Sequence, residues 1–276
     1  MEWHRVKNII LAILVIVNCM LLILVWNRKA ETLRYEQSAL DGAVQVLAEN
    51  GITLSPQSIE GRKSHQPGSA ERDMEAEAQL AAILLGETVQ GENRGGGLYT
   101  YRTRFGELSF RPGGVLTAEL ANVPVWETAD PESHAAALMG SLNIDCYRVQ
   151  SNLSSGSGTI LYVQLLEDAP VFSCQVVLTY AEGRLCSMSG TLLAMTEPEL
   201  ENGTLLSLPT VLMRFLDDVL TSGDVCSAIL EVEPGYLVTQ SFSNTIQLRP
   251  TWYISTNTAD YYVDGITGEL TRVTIV

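Results

Sequence analysis

Residues 9–26 read IILAILVIVNCMLLILVW, a run without a single charge. At about 1.5 Å of rise per residue such a helix just crosses a hydrocarbon layer of roughly 30 Å. Arg5 and Lys7 precede the run, Arg28 and Lys29 follow it, and Trp3 and Trp26 stand where amphipathic rings settle at an interface. The expectation is a transmembrane helix over 9–26. A cleavable signal peptide would need a small-x-small exit, and Leu24, Val25, Trp26, Asn27 and Arg28 offer none. A lipoprotein reading would lipidate Cys19, but Asn18 stands before it and the apolar run continues past it. Residues 1–8 are too few to form a domain, so the sequence predicts a single-pass cell-membrane protein with a cytoplasmic N-terminus and an extracytoplasmic remainder.

A carboxamide near the middle of an apolar helix is costly to leave unpaired, and an interhelical hydrogen bond there contributes roughly 0.6 to 2 kcal/mol. Asn18, with Trp3 and Trp26 at the two ends, is therefore the expected partner-binding set. The alternative is that Asn18 bonds back to its own backbone.

Residues 30–276 carry 13 of the 17 basic and 31 of the 32 acidic residues. A surface so acidic excludes nucleic acid and anionic headgroups as partners, although it also does no more than a soluble domain requires. The remainder is long enough for two modest cores. Helix, then meander, recurs along it, which predicts an α+β fold: the N-terminal transmembrane helix followed by two small domains of helices packed on antiparallel sheets, at 27–127 and 128–276.

Glu31 to Glu49 reads as a helix continuing outward from the apolar run, with Leu40, Ala43, Val44 and Leu47 at i, i+3, i+4 and i+7, and Asn50-Gly51 stops it. Residues 52–54 begin an extended piece closed by Pro56, and 61–70 read as a breaker-rich loop holding a solvated His65. A helix from Glu71 carries Met74, Ala78, Ala81, Ala82 and Leu85 on one face. Gly95-Gly96-Gly97 is a turn rather than a phosphate loop, because no Lys-Ser/Thr follows. Residues 98–104, 107–111 and 115–120 form a meander. Asp130-Pro131 caps a helix through Leu142 that leaves His134 on the surface.

The clearest hairpin joins 171–180 to 184–194. With its turn centred on Glu182, Phe172, Cys174, Val176, Leu178 and Tyr180 oppose Leu192, Gly190, Met188, Cys186 and Arg184. A helix then starts at Pro209 and ends at Ser222-Gly223, with strands at 229–239, 246–255, 260–264 and 269–276. Cys146, Cys174, Cys186 and Cys226 are too widely spaced for a disulfide scaffold and read as free thiols.

His65 and His134 leave no motif that sets a base beside a nucleophile, and no Cys/His spacing suits zinc. The sequence thus points to no catalytic residue, cofactor or metal. Asp264-Gly265-Ile266-Thr267-Gly268-Glu269 lacks the acidic spacing of a calcium loop and reads as a tight turn with both glycines at positive φ.

The start, Met1-Glu2-Trp3-His4-Arg5-Val6-Lys7-Asn8-Ile9 with an apolar helix around Asn18, resembles YycI-type proteins. The end, Trp252-Tyr253-Ile254 with Tyr261-Tyr262-Val263-Asp264-Gly265-Ile266-Thr267-Gly268-Glu269, resembles the closing hairpin shared by YycI, YycH and PepSY-like domains. That resemblance implies a non-enzymatic, membrane-anchored regulator of a WalK-like sensor histidine kinase in cell-wall homeostasis, acting with a YycH-like companion. The alternative it leaves is a PepSY-like peptide-binding or protease-inhibitor module.

Overall fold

The computed structural model describes residues 3–55, 59, 62–121, 130–240 and 244–273, so Met1, Glu2, Pro56 and the last three positions of the strand expected to 276 lie outside the described residues. The chain opens with helix α1 (Trp3–Glu49), strand β1 (Thr53–Leu54), strand β2 (Gly68–Glu71) and helix α2 (Met74–Leu85). Strands β3 (Glu92–Gly95), β4 (Leu98–Thr103), β5 (Gly106–Phe110) and β6 (Val115–Leu120) follow, then helix α3 (Pro131–Ser141). Strands β7 (Cys146–Ser154), β8 (Ser157–Leu166), β9 (Ala169–Ala181), β10 (Arg184–Thr191) and β11 (Glu199–Leu200) lead to helix α4 (Leu208–Ser222). The chain closes with β12 (Ala228–Gln240), β13 (Thr245–Thr256), β14 (Asp260–Asp264) and β15 (Leu270–Arg272).

Residues 9–26 are helical and run without a break into the helix expected over 31–49, the two together forming α1. Among the described residues no helix is long and apolar enough to cross a membrane. This overturns the expected transmembrane helix and, with it, the single-pass membrane placement of the chain.

The fold class is corrected as well. The strands form one fifteen-stranded mixed sheet, not two antiparallel ones, with the order β11-β2-β13-β12-β9-β10-β6-β5-β4-β3 and further strands branching from it. Two parallel pairings make it mixed, β1 with β12 and β12 with β9. The second joins at Tyr236 and Val171, because β10 pairs with β9 only as far as Val176 and leaves that edge of β9 open to β12, while β8 covers the other edge down to Ala169. Gly235 makes that approach possible, since a Cβ there would lie 2.4 Å from the Pro170 carbonyl oxygen and 2.7 Å from the Phe172 ring. The adjacent β6–β10 pairing carries the same sheet across the boundary expected near residue 128.

Apolar burial, the main favourable term in folding, is concentrated in two large clusters. One packs Leu80, Leu84 and Leu85 of α2 and Leu138 and Met139 of α3 against β4–β6 and β8–β10. The other packs Ala43 and Leu47 of α1 and Val211, Phe215 and Val219 of α4 against β12–β14. Trp252 and Tyr261, on which the closing-hairpin resemblance rests, are core residues of this second cluster.

Local chemistry explains the helix ends. The Asp73 carboxylate accepts from the Glu75 and Ala76 amides at 2.9 and 3.0 Å, so α2 begins there, after strand β2, rather than at Glu71. Asp130 caps α3 as its Asp-Pro pair predicts. The β9–β10 hairpin departs from its expected register. Glu182 and Gly183, at φ +50 and +77, make a two-residue turn, and an irregularity at Cys186 sets Met188 opposite Leu178 and Gly190 opposite Val176. Gly268 adopts the expected left-handed φ of +76, whereas Gly265 is absent from the left-handed glycines.

Candidate functional site

The expected partner-binding residues all lie on α1, where Trp3 and Trp26 are 79% and 77% exposed and Asn18 is exposed too. Trp3 and Trp26 are separated by about 35 Å of helix, so the structure does not gather the three into one site. Elsewhere, the expected surface residue His134 is buried. It faces inward one turn ahead of Leu138, and its Nδ1 lies 2.7 Å from the Tyr180 hydroxyl. Burial lowers the pKa of His134 and raises that of Tyr180, which keeps both neutral. His65 is not free in solvent either, since its ring lies 5.3 Å from that of Tyr236. The cysteines are free, and Cys174 is fully buried. Among the described residues no cluster of three or more His, Cys, Asp or Glu is placed to hold a metal ion.

A groove of about 600 Å³ lies between α2 and the turn that follows α3. One wall is the α2 face bearing Glu75, Gln79, Leu80 and Ile83. The other is the turn 141–145, where Asn143 takes φ +54 and Leu142 donates its amide to the Met139 carbonyl. The Leu165 amide bonds to the Asp145 carbonyl at 2.7 Å and ties this turn to the end of β8.

The floor is Leu165 and Leu166 of β8 together with the extended segment 193–198 after β10. Buried Gln164 locks the two parts. Its Nε2 donates to the Leu193 carbonyl at 3.0 Å, and its Oε1 accepts from the Leu193 amide at 2.8 Å. A side-chain amide thus makes the pair of bonds that a neighbouring strand would have made.

The α2 wall is fixed from beneath by an ion pair. Arg72, immediately before the helix cap, donates through Nε and Nη2 to both Glu77 carboxylate oxygens at 2.6 and 2.8 Å. Its Nη1 donates to the Gly97 carbonyl at 2.7 Å, and its guanidinium lies 5.6 Å from the Tyr99 ring centroid. The two side chains are 4% and 1% exposed. Burial dominates the upward shift of the Glu77 pKa and the guanidinium opposes it, which is why the pair has to be bidentate to hold the charge.

A second cavity of about 570 Å³ lies beside the end of α4. Within it Tyr261 donates its hydroxyl to Asp224 at 2.9 Å, Arg272 lies 3.5 Å from the same carboxylate, and the lining mixes both signs of charge. The first groove differs, because Asp73, Glu75, Asp145, Glu167 and Glu197 line it with no lysine or arginine.

No protein-family model matches the chain, and no curated protein sequence matches it. Among solved structures, an uncharacterized protein from Eubacterium rectale aligns at 12% identity and a TM-score of 0.48, over 76% of this chain and 87% of that one. The YpeB C-terminal domain of Bacillus megaterium aligns at 12% identity and a TM-score of 0.39, over 74% of this chain and 99% of that one. Likeness at this level says nothing of binding or activity.

Proposed function

We propose that the protein is a non-enzymatic binding module that holds an extended segment of a partner polypeptide in the groove between α2 and the turn after α3. The observation that carries this reading is the groove itself, about 600 Å³ with half-buried Leu165, Leu166 and Met195 among polar groups on an extended floor. A concave apolar floor with a few polar groups around it is the usual form of a binding site, and an extended peptide fits a floor of that shape. This is the PepSY-like alternative left by the sequence, without the anchor.

Selection of displayed random peptides on the full chain tests it, with Gln79→Trp as the blocked control. Gln79 is exposed on the groove wall, so an indole there fills the groove without disturbing the buried face of α2. The reading requires selected peptides that bind the native chain and are lost on Gln79→Trp. Equal binding to both would refute it.

A second reading follows the YycI-type resemblance and has α1 pack on a helix of a sensor histidine kinase, beside a YycH-like companion. It is supported by the exposed apolar side chains along α1, such as Leu22 at 68% and Trp26 at 77%. Under this reading Asn18→Leu reduces co-purification of the kinase, and a wild-type yield of the partner counts against it.

A further inference from the structure

The rim of the groove narrows what it accepts. Of its five carboxylates, Glu75 belongs to α2, Asp145 to the turn after α3, Glu167 to the turn after β8, and Glu197 to the segment 193–198. They therefore stand on both walls and at the floor's end, around apolar residues such as Ile83, Ile144 and Leu166. Asp73 is committed to capping α2, whereas Glu75, Asp145, Glu167 and Glu197 are exposed. An extended chain directs successive side chains to opposite faces. A segment lying along the floor therefore presents every second residue to apolar side chains and the alternate ones to the rim.

We propose that the groove is specific for an extended basic segment, in which apolar residues alternate with lysine or arginine. The inference rests on the groove being a peptide site and adds the chemical class of its occupant. Charge complementarity selects the class, because acidic side chains on the segment would meet like charge on every side and neutral ones would gain nothing from the rim. The rim carboxylates are solvent-exposed, so their attraction is screened by salt, while contact with the floor is not.

The probe is a capped heptapeptide of alternating valine and lysine, compared with counterparts carrying glutamine or glutamate in place of lysine, titrated into the full chain by calorimetry. The lysine peptide binds roughly tenfold more tightly than the glutamine peptide at low salt, as several exposed ion pairs acting together would give, and the gap closes near 1 M salt. The glutamate peptide does not bind. The triple variant Asp145→Asn, Glu167→Gln, Glu197→Gln brings the lysine peptide to the level of the glutamine peptide.

A second triple variant, Glu119→Gln, Glu182→Gln, Glu231→Gln, changes net charge equally at exposed positions outside the groove and leaves the lysine peptide unaffected. Equal binding of lysine and glutamine peptides overturns the charge preference while leaving a peptide groove. Equal weakening by the two triple variants assigns the attraction to bulk charge and overturns it as well. If none of the three peptides binds, the groove reading itself falls and the charge preference with it.

Discussion

Glu77→Gln removes one negative charge and leaves the Arg72 guanidinium buried without its counterion. The side chains are 4% and 1% exposed, so water cannot replace the lost partner. Breaking a buried pair from one side costs about 3 to 5 kcal/mol. Arg72→Met costs a similar amount at neutral pH, but its defect has a different pH dependence. Without the guanidinium, burial alone acts on the Glu77 carboxyl and moves its folded pKa further up. The folded variant then binds a proton that the unfolded chain releases above the ordinary value of 4.5. Stability of Arg72→Met therefore recovers as pH falls through the raised folded value, whereas the Glu77→Gln defect does not.

The double variant Arg72→Met, Glu77→Leu replaces both charges with apolar groups and loses far less than the sum of the single changes. Urea unfolding of the four proteins at pH 7.5 and pH 5.5 measures all of this. A loss below about 1 kcal/mol for Glu77→Gln, or additive single losses in the double variant, would refute the assignment of the pair as the anchor of the α2 wall.

Burial lowers the folded pKa of both His134 and His65 below 6.5. The unfolded chain takes up protons there that the folded chain refuses, so their contribution is complete above about pH 6.5 and is lost as pH falls through the lowered folded values. The urea midpoint should drop between pH 8 and pH 5.5, and His65→Gln with His134→Gln should flatten that slope; an unchanged slope would contradict the origin assigned to it. Gly235→Ala forces a Cβ within 2.4 Å of the Pro170 carbonyl oxygen and loosens the joint between β12 and β9, at a cost of about 3 kcal/mol read as a fall in Tm. Trp252 is 1% exposed, and its indole nitrogen has no hydrogen-bond partner among the described residues. Trp252→Phe removes that unpaired donor and regains about 1 to 3 kcal/mol against the lost packing, so by chemical denaturation it should cost much less than the roughly 3 to 5 kcal/mol of Trp252→Ala.

Periodicity and caps were enough to place α2 to within three residues of its start, along with α3, α4, the β4–β6 meander and the long strands β12 and β13. These elements carry their signals locally, as at Asp130-Pro131 and Gly223. Strands β7 and β8 carry no clear signal in the sequence, because polar Ser151, Asn152, Ser154 and Ser157 interrupt their alternation, and β7 is largely exposed. Strand β2 reads as loop in the sequence because its Gly68, Ser69 and Ala70 have little intrinsic strand preference and owe their conformation to pairing with β13.

The joining of the sheet depends on the start of β9 meeting β12 at Val171 and Tyr236, a long-range fact with no local signal. The groove is hidden for the same reason, since its walls come from residues 73–83 and 141–145 and its floor from 164–167 and 193–198. Gln164 was the available hint: an amide between Val163 and Leu165 on a strand has to satisfy its bonds internally, and Leu193 is where it does so.

Hydrogen exchange on the full chain, with and without a selected peptide, addresses the central claim most directly. Occupation of the groove predicts slowed exchange in 74–85, 142–145 and 193–198, with α1 and the cavity beside α4 unchanged. Protection confined to α1, or to residues 214–224 and 267–272, would contradict the groove as the binding site.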